Sequence, residues 1–142
     1  MRAQALFRDR FIAVVRDGHP LSKGRVTPAR FASSRHAAVS RRGATGGPLD
    51  DGLQELGLVR DIAVVVTSFS TALALARSTD LVATVPERHT AALRSGLRAI
   101  RLPFPTPPIA LSLLWHPRFE ADAAHRWLRG LVREVAARGG SA

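Results

Sequence analysis

An α/β layer fold with mostly parallel strand pairing is what this chain of 142 residues predicts, and three observations point to it. Short apolar runs alternate along the chain with segments carrying helix signals, the pattern of successive βαβ units. Two of the runs, Ile62–Val66 and LVATV from Leu81, are continuous rather than alternating, which fits strands buried on both faces. The length suits one domain, or one lobe of something larger, and no internal repeat or low-complexity segment is visible.

Each element has a local reason. The Met1–Arg10 arm, like the final helix, is expected to be held less securely than the core. RFIAVVRDGHPL opens with a short strand, Phe11–Val15, stopped by Asp17-Gly18-His19-Pro20. TPARFASSR makes a short helix with Thr27 as N-cap and Pro28 in the first turn. HAAVS, from His36, is a second strand running into the polar loop RRGATGG. PLDDGLQELG is a helix closed by Gly57, a natural residue for a left-handed C-terminal turn. VRDIAVVVTS is a third strand, SFSTALALARSTD a helix and LVATV a fourth strand.

Pro86 then opens a predicted helix through HTAALRSG, ended by Gly96. LRAIRLP alternates as a strand, and PFPTPP is a stiff connection. IALSLLW alternates with Ile109, Leu111, Leu113 and Trp115 on one face. A final helix over 123–137 places Ala124, Trp127, Leu128, Leu131, Val132 and Val135 on one apolar stripe. The predicted order is βαβαβαβαββα.

Composition excludes several classes of function. There are no cysteines, so disulfides, zinc–thiolate sites and thiol nucleophiles are ruled out. Nothing approaches the roughly 18 uninterrupted apolar residues of a membrane-spanning helix, and MRAQALFRDR lacks the layout of a secretory signal. A cytoplasmic location without membrane contact is the expectation. The formal net charge is +10, and Lys23 is the one lysine among 21 basic residues. Such charge permits contact with nucleic acid or acidic surfaces. The arginines are scattered, however, with Arg41–Arg42 the one adjacent pair, rather than gathered in a stripe. A stand-alone basic protein that binds nucleic acid through these arginines is the alternative reading.

The segment LLWHPRFEADAAHRWLR gathers His116, Glu120, Asp122 and His125, residue types that serve metals and acid–base chemistry. Their spacing argues otherwise. Asp122 stands where a carboxylate caps a helix N-terminus. His125 lies with Arg129 and Arg133 away from the apolar stripe, on a face expected to be solvated. His116 precedes Pro117 in a turn, and a histidine pair nine residues apart matches no short ligand clip. The glycines Gly43, Gly46 and Gly47 fit neither a P-loop nor a dinucleotide fingerprint, so RRGATGG reads as a connection. No nucleophile elbow occurs. No catalytic residue, metal or cofactor is assigned.

VTSFSTAL is the stronger candidate. A strand delivers Thr67 and Ser68 to a helix N-terminus, where hydroxyls and free N–H groups converge. Ligands of open α/β sheets sit outside the carboxyl ends of strands, and helix N-termini favour anions. Phe69 would add an apolar wall. Simple capping by Ser68 or Ser70, with Phe69 in the core, explains the same residues.

FRDRFIAVVRDGHPL, HAAVSRRG, GPLDDGLQELGLVRDIAVVVTSFSTALALARSTDLVATVPE and LSLLWHPRFEADAAHRWLR follow one another in an order that resembles a known family. The resemblance is to the effector-binding (substrate-binding) domain of LysR-type transcriptional regulators. It is nearest the branch whose members often respond to small aromatic acids or flavonoid-like signals. It spans Leu6 to Val135. The GHPL crossover, the turn Ser78-Thr79-Asp80-Leu81 into ATVPE (one residue longer than the family's) and the WHPR…HRWLR ending are specific together and weak singly.

The resemblance implies a periplasmic-binding-protein-like fold (type II) of two α/β subdomains joined by two crossover strands. Effector binds in the cleft between them, and hinge closure alters the oligomer that holds DNA. On this mapping residues 17–112 form a complete second subdomain, while 1–16 and 113–142 are pieces of the first. The crossovers fall near Val15–Pro20 and Ile109–Trp115. No winged helix-turn-helix, dimerisation helix or first βα units precede Met1. The chain is therefore expected to be a truncated, ligand-sensing regulator without its own DNA-binding domain. Carried over residue by residue, effector contact falls on Thr67, Ser68, Phe69 and Ser70, then on His19 and Trp115. The implied partners are a small organic acid and a second copy of the chain, because the stripe around Trp127 is expected to lack the sheet it covers.

Overall fold

The computed structural model describes residues 1–43 and 46–139. In chain order the elements are β1 (Arg2–Asp9), β2 (Phe11–Arg16), α1 (Pro28–Ser33), β3 (Arg35–Val39), α2 (Pro48–Glu55), β4 (Asp61–Val66), α3 (Phe69–Ser78), β5 (Val82–Pro86), β6 (Leu97–Arg101), β7 (Ile109–Trp115) and α4 (Ala123–Gly139). They form two compact units, one of Arg10–Pro107 and one of Met1–Asp9 with the chain from Pro108 onward.

The Arg10–Pro107 unit is built on a five-stranded sheet in the order β4-β3-β5-β2-β6. β3 pairs parallel with β4 and with β5, through α2 and α3 as crossovers. β2 pairs antiparallel with β5 and with β6. The sheet is thus mixed, not mostly parallel, because β2 enters from the other unit and its direction is set by no crossover helix. β2 alternates cleanly: Ala13 and Val15 pack with Phe31, Leu49 and Leu53 on the α1/α2 face. Ile12 and Val14 pack with Ala72, Leu73 and Ala76 of α3 on the other.

β2 lies inside this sheet, between β5 and β6, so the unit begins at Arg10; it ends at Pro107, where residues 17–112 were expected. The chain passes between units at Asp9–Arg10, ahead of the expected Val15–Pro20, and at Pro107–Pro108, beside the expected Ile109–Trp115. Two further expectations are corrected. Ile62–Val66 is an edge strand and none of its residues is fully buried, because a continuous apolar run does not distinguish the centre of a sheet from its rim. After Pro86 the predicted helix shrinks to a single 3-10 turn, Ala91–Leu93. Thr90 N and Oγ1 both donate to Pro86 O, the Arg94 guanidinium donates to Glu87 O, and Arg77 of α3 donates to Leu93 O and Ser95 O.

The helix ends follow their local signals. Thr27 Oγ1 accepts from Arg30 N at 3.2 Å. At the end of α2, Gly57 has φ +71°. Leu58 N donates to Leu53 O and Gly57 N to Gln54 O, both at 2.9 Å, the paired bonds of a Schellman turn.

In the other unit β1 and β7 form a two-stranded antiparallel ribbon. Arg2–Asp9 is therefore a strand rather than a loose arm, with Asp9 opposite Ile109 and Arg2 opposite Trp115. On α4 the predicted stripe lies in solvent, with Trp127 69% exposed and Leu128, Leu131 and Val135 also exposed. The buried residue of α4 is Arg129, on the face expected to be solvated. Its guanidinium lies 4.5 Å over the Trp115 ring. It also donates to Phe119 O and Glu120 O, both at 3.0 Å, and meets His125 Nδ1 at 2.7 Å. Stacking on an aromatic face and bonding to carbonyls replace water around this cation.

Candidate functional site

β3, β4 and β5 all point their carboxyl ends to one side of the sheet. A concavity of about 390 Å³ opens there, lined by Val39, Ser40 and Arg41 after β3, Thr67–Ser70 after β4, and His89, Thr90 and Leu93 after β5. Convergence of three parallel strand ends makes the depression, since their crossovers must leave by that edge.

Four residues picked from the sequence, Thr67, Ser68, Phe69 and Ser70, line this concavity together. Ser68 caps α3: its Oγ accepts from Thr71 N at 3.2 Å and lies 2.8 Å from Thr71 Oγ1 and 3.2 Å from Ser70 Oγ. Capping and site are thus not exclusive, because the hydroxyl that closes the helix also faces the depression. The first N–H groups of α3 have no acceptor within the helix and carry the positive end of its dipole. Phe69 is half-buried and meets the His89 ring edge-on, centroids 6.2 Å apart. Arg41, exposed at the rim, adds positive charge. His89 and Leu93 carried no signal in the sequence, and Arg41 stood out only as half of the Arg41–Arg42 pair; they reach the site through the loops that follow β3 and β5.

Phe69 and Val39 also line an adjoining cavity of about 120 Å³ with Phe11, Ala37, Leu49, Asp50, Arg60 and Thr84. Thr84 Oγ1 is buried there without a hydrogen-bond partner. In RRGATGG, Gly46 and Gly47 line the same cavity, while Ala44 and Thr45 lie outside the described residues.

His19 is not part of this constellation. β2 runs antiparallel to β5, so the turn after β2 lies at the opposite end of the sheet. There His19 is buried, its Nδ1 accepting from Leu21 N at 3.0 Å, so that Nε2 carries the proton and donates to Asp80 O at 2.8 Å. Nδ1 thus fixes the turn locally, and Nε2 ties it to the segment leading into β5. Trp115 belongs to the other unit, beneath Arg129, its Nε1 donating to Glu120 Oε2 at 2.7 Å.

The remaining polar residues of the WHPR segment have local roles. His116 Nδ1 accepts from Arg118 N at 3.1 Å, and Asp122 Oδ1 accepts from His125 N at 2.8 Å as the cap of α4. His125 stacks on Phe119 with centroids 5.0 Å apart. Among the described residues no helix is long and apolar enough to cross a membrane.

Comparison with known proteins agrees with this architecture. The family described as LysR substrate binding domain matches residues 1–137. The chain is 33% identical over 132 residues to the HTH-type transcriptional activator NagR of Ralstonia sp, covering 92% of this chain and 44% of that protein. To the HTH-type transcriptional regulator SyrM of Rhizobium meliloti (strain 1021) it is 36% identical over 138 residues, covering 95% and 42%. Among solved structures it is similar to the regulatory domain of MexT, a transcriptional activator in Pseudomonas aeruginosa. That likeness has a TM-score of 0.78 and 30% identity, over 94% of this chain and 66% of the other. The chain thus spans less than half the length of the curated relatives named.

Proposed function

The chain belongs to the LysR substrate binding domain family, and from that premise we propose that it senses a small organic acid at the strand ends around Thr67–Ser70. The observation that carries this reading is the convergence of Ser68, Ser70, the α3 N-terminus and Phe69 on one depression. A carboxylate is held by the hydroxyls and the helix dipole, while the ring of an aromatic acid packs against Phe69 and His89. His19, at the opposite end of the sheet, and Trp115, in the other unit, lie outside this depression and take no part in this reading. In the full-length regulator, binding alters transcription; the domain itself performs no catalysis and acts in the cytoplasm.

Calorimetric titration with benzoate tests the site. Wild type is expected to give saturable heat, and both Ser68→Ala and Phe69→Leu to weaken affinity by about tenfold, the loss of one charge-assisted bond or one ring contact. Ser68→Ala also removes the α3 cap, at about 1 kcal/mol of stability, so Phe69→Leu serves as the variant without that side effect. Equal affinity in all three proteins would sink the assignment.

The alternative, nucleic-acid binding through scattered arginines, has no supporting observation. Several of those arginines are engaged with acids beside them, as in Arg10–Glu87, Arg16–Asp80 and Arg60–Asp50.

The same reading has the chain self-associate through the exposed face of α4, where Trp127, Leu128, Leu131 and Val135 form a contiguous stripe. Sedimentation velocity is expected to show dimers or larger species, reduced by Trp127→Glu. A monodisperse monomer across the concentration range would overturn it.

A further inference from the structure

The Met1–Asp9/Pro108-onward unit carries a second concavity, independent of the Ser68 site. It measures about 700 Å³ and is lined by Arg2 and Gln4 of β1, Trp115 of β7, Glu120, and Arg126, Trp127, Arg129 and Arg133 of α4. Four guanidinium groups there face one carboxylate, a formal excess of three positive charges. That carboxylate is already committed: Glu120 Oε2 accepts from Trp115 Nε1 at 2.7 Å and lies 3.9 Å from Arg2 Nε. Arg129 sits 7% exposed with carbonyls, an imidazole nitrogen and a ring face around it, none of which cancels its charge. Among the described residues Arg126 and Arg133 make no ion pair. Their guanidinium groups, one α-helical turn either side of Arg129 on α4, remain available to a ligand. Like charges held around one depression repel one another, and a bound anion relieves that repulsion.

We propose that this concavity binds a small anion bearing at least two oxyanion groups, carboxylates or phosphates. Arg126 and Arg133 clamp the oxyanions in fork-like pairs, which guanidinium geometry favours for both groups. Arg129, held on Trp115, supplies a fixed positive floor.

The chain has two tryptophans, and both line this concavity, so intrinsic emission reports on it directly. The full chain, at fixed protein concentration and constant ionic strength, is titrated with citrate and separately with pyrophosphate; acetate and chloride are the controls. A saturable change in emission is expected with at least one of the two polyanions, at a midpoint about tenfold or more below that of acetate. Arg126→Gln and Arg133→Gln, both at exposed positions, are each expected to raise the midpoint by about tenfold. A response to citrate alone or to pyrophosphate alone supports the site and tells carboxylate from phosphate. Emission that follows ionic strength whatever the anion, or variants that titrate like wild type, would overturn the proposal. Benzoate calorimetry on the Phe69 variant is insensitive to either result, so the two sites fail separately.

Discussion

Asp50→Asn is expected to destabilise the Arg10–Pro107 unit by about 3 kcal/mol, because it leaves a buried cation without its counter-charge. Asp50 lies in the first turn of α2, and Arg60 precedes β4. Arg60 Nε and an Nη reach the two carboxylate oxygens at 2.7 and 3.0 Å in a bidentate fork. The side chains are 8% and 24% exposed for Arg60 and Asp50. Exposed pairs such as Arg35–Asp61, both more than half in solvent, contribute little by comparison. The amide that replaces the carboxylate would still accept one bond but would not balance the charge, and the α2 dipole would lose a favourable acid. Urea midpoints for Asp50→Asn, Arg60→Met and the double variant check this. The double variant should recover part of the loss, since no orphaned charge remains. A single-variant change below about 0.5 kcal/mol, typical of a surface pair, would show that Arg60 swings out to water.

The second large effect is a loss of stability in mild acid from one histidine. His36 on β3 is fully buried. Its Nε2 donates to Phe31 O at 2.8 Å, its ring meets Phe31 edge-on at 4.7 Å, and its Nδ1 has no partner. Burial pushes the imidazole down to about 4 from its ordinary 6.5, with the nearby Arg60 acting in the same direction. The Phe31 carbonyl, Asp50 and Asp61 pull the other way but do not prevail. The unfolded chain therefore takes up a proton on His36 between these two values while the folded unit does not. Stability from the neutral ring is fully present above about pH 6.5 and is lost as pH falls toward about 4. The loss is on the order of 3 kcal/mol. Denaturant midpoints measured at about pH 7 and about pH 4.5 are expected to separate much less in His36→Leu than in wild type. The comparison is of slopes, since leucine also leaves the Phe31 carbonyl without its donor. An unchanged slope would place the acid sensitivity on other groups. The two predictions are coupled: Asp50→Asn removes one acid that favours protonated His36, so its own acid slope should be steeper.

What local chemistry writes into the chain was legible. Thr27, Ser68, Asp122 and Gly57 each act through groups within a few residues, and each caps or closes its helix as the sequence indicates. The alternation in Ile109–Trp115 marks the face of β7 that is less exposed. Where competing partners lie far along the chain, local reasoning failed. Arg2–Asp9 carries little period of its own and becomes a strand because Ile109–Trp115 pairs with it. The helix expected after Pro86 gives way to a single 3-10 turn, beside which Arg77 of α3 holds the Leu93 and Ser95 carbonyls.

The candidate site divides in the same way. Thr67–Ser70 was legible because a strand that runs straight into a capped helix creates converging hydroxyls and free N–H groups by backbone geometry alone. Arg41, His89 and Leu93 were not, because loops from three different strands meet only once the sheet has its order. His19 looked equally chemical in the sequence, but the antiparallel entry of β2 carries it to the far end and spends both its nitrogens on the backbone. On α4 an arginine on the face opposite an apolar stripe reads as solvated. Only the folded unit, with Trp115 and two carbonyls around it, makes Arg129 the buried residue. Sequence by itself determined the family, the helix caps and the strand-to-helix turn at Ser68, since these depend on neighbours in the chain. Tertiary structure alone decided which strand lies at the edge, which charges lose water and which residues share a cavity, since burial belongs to the assembled sheet and not to any segment of it.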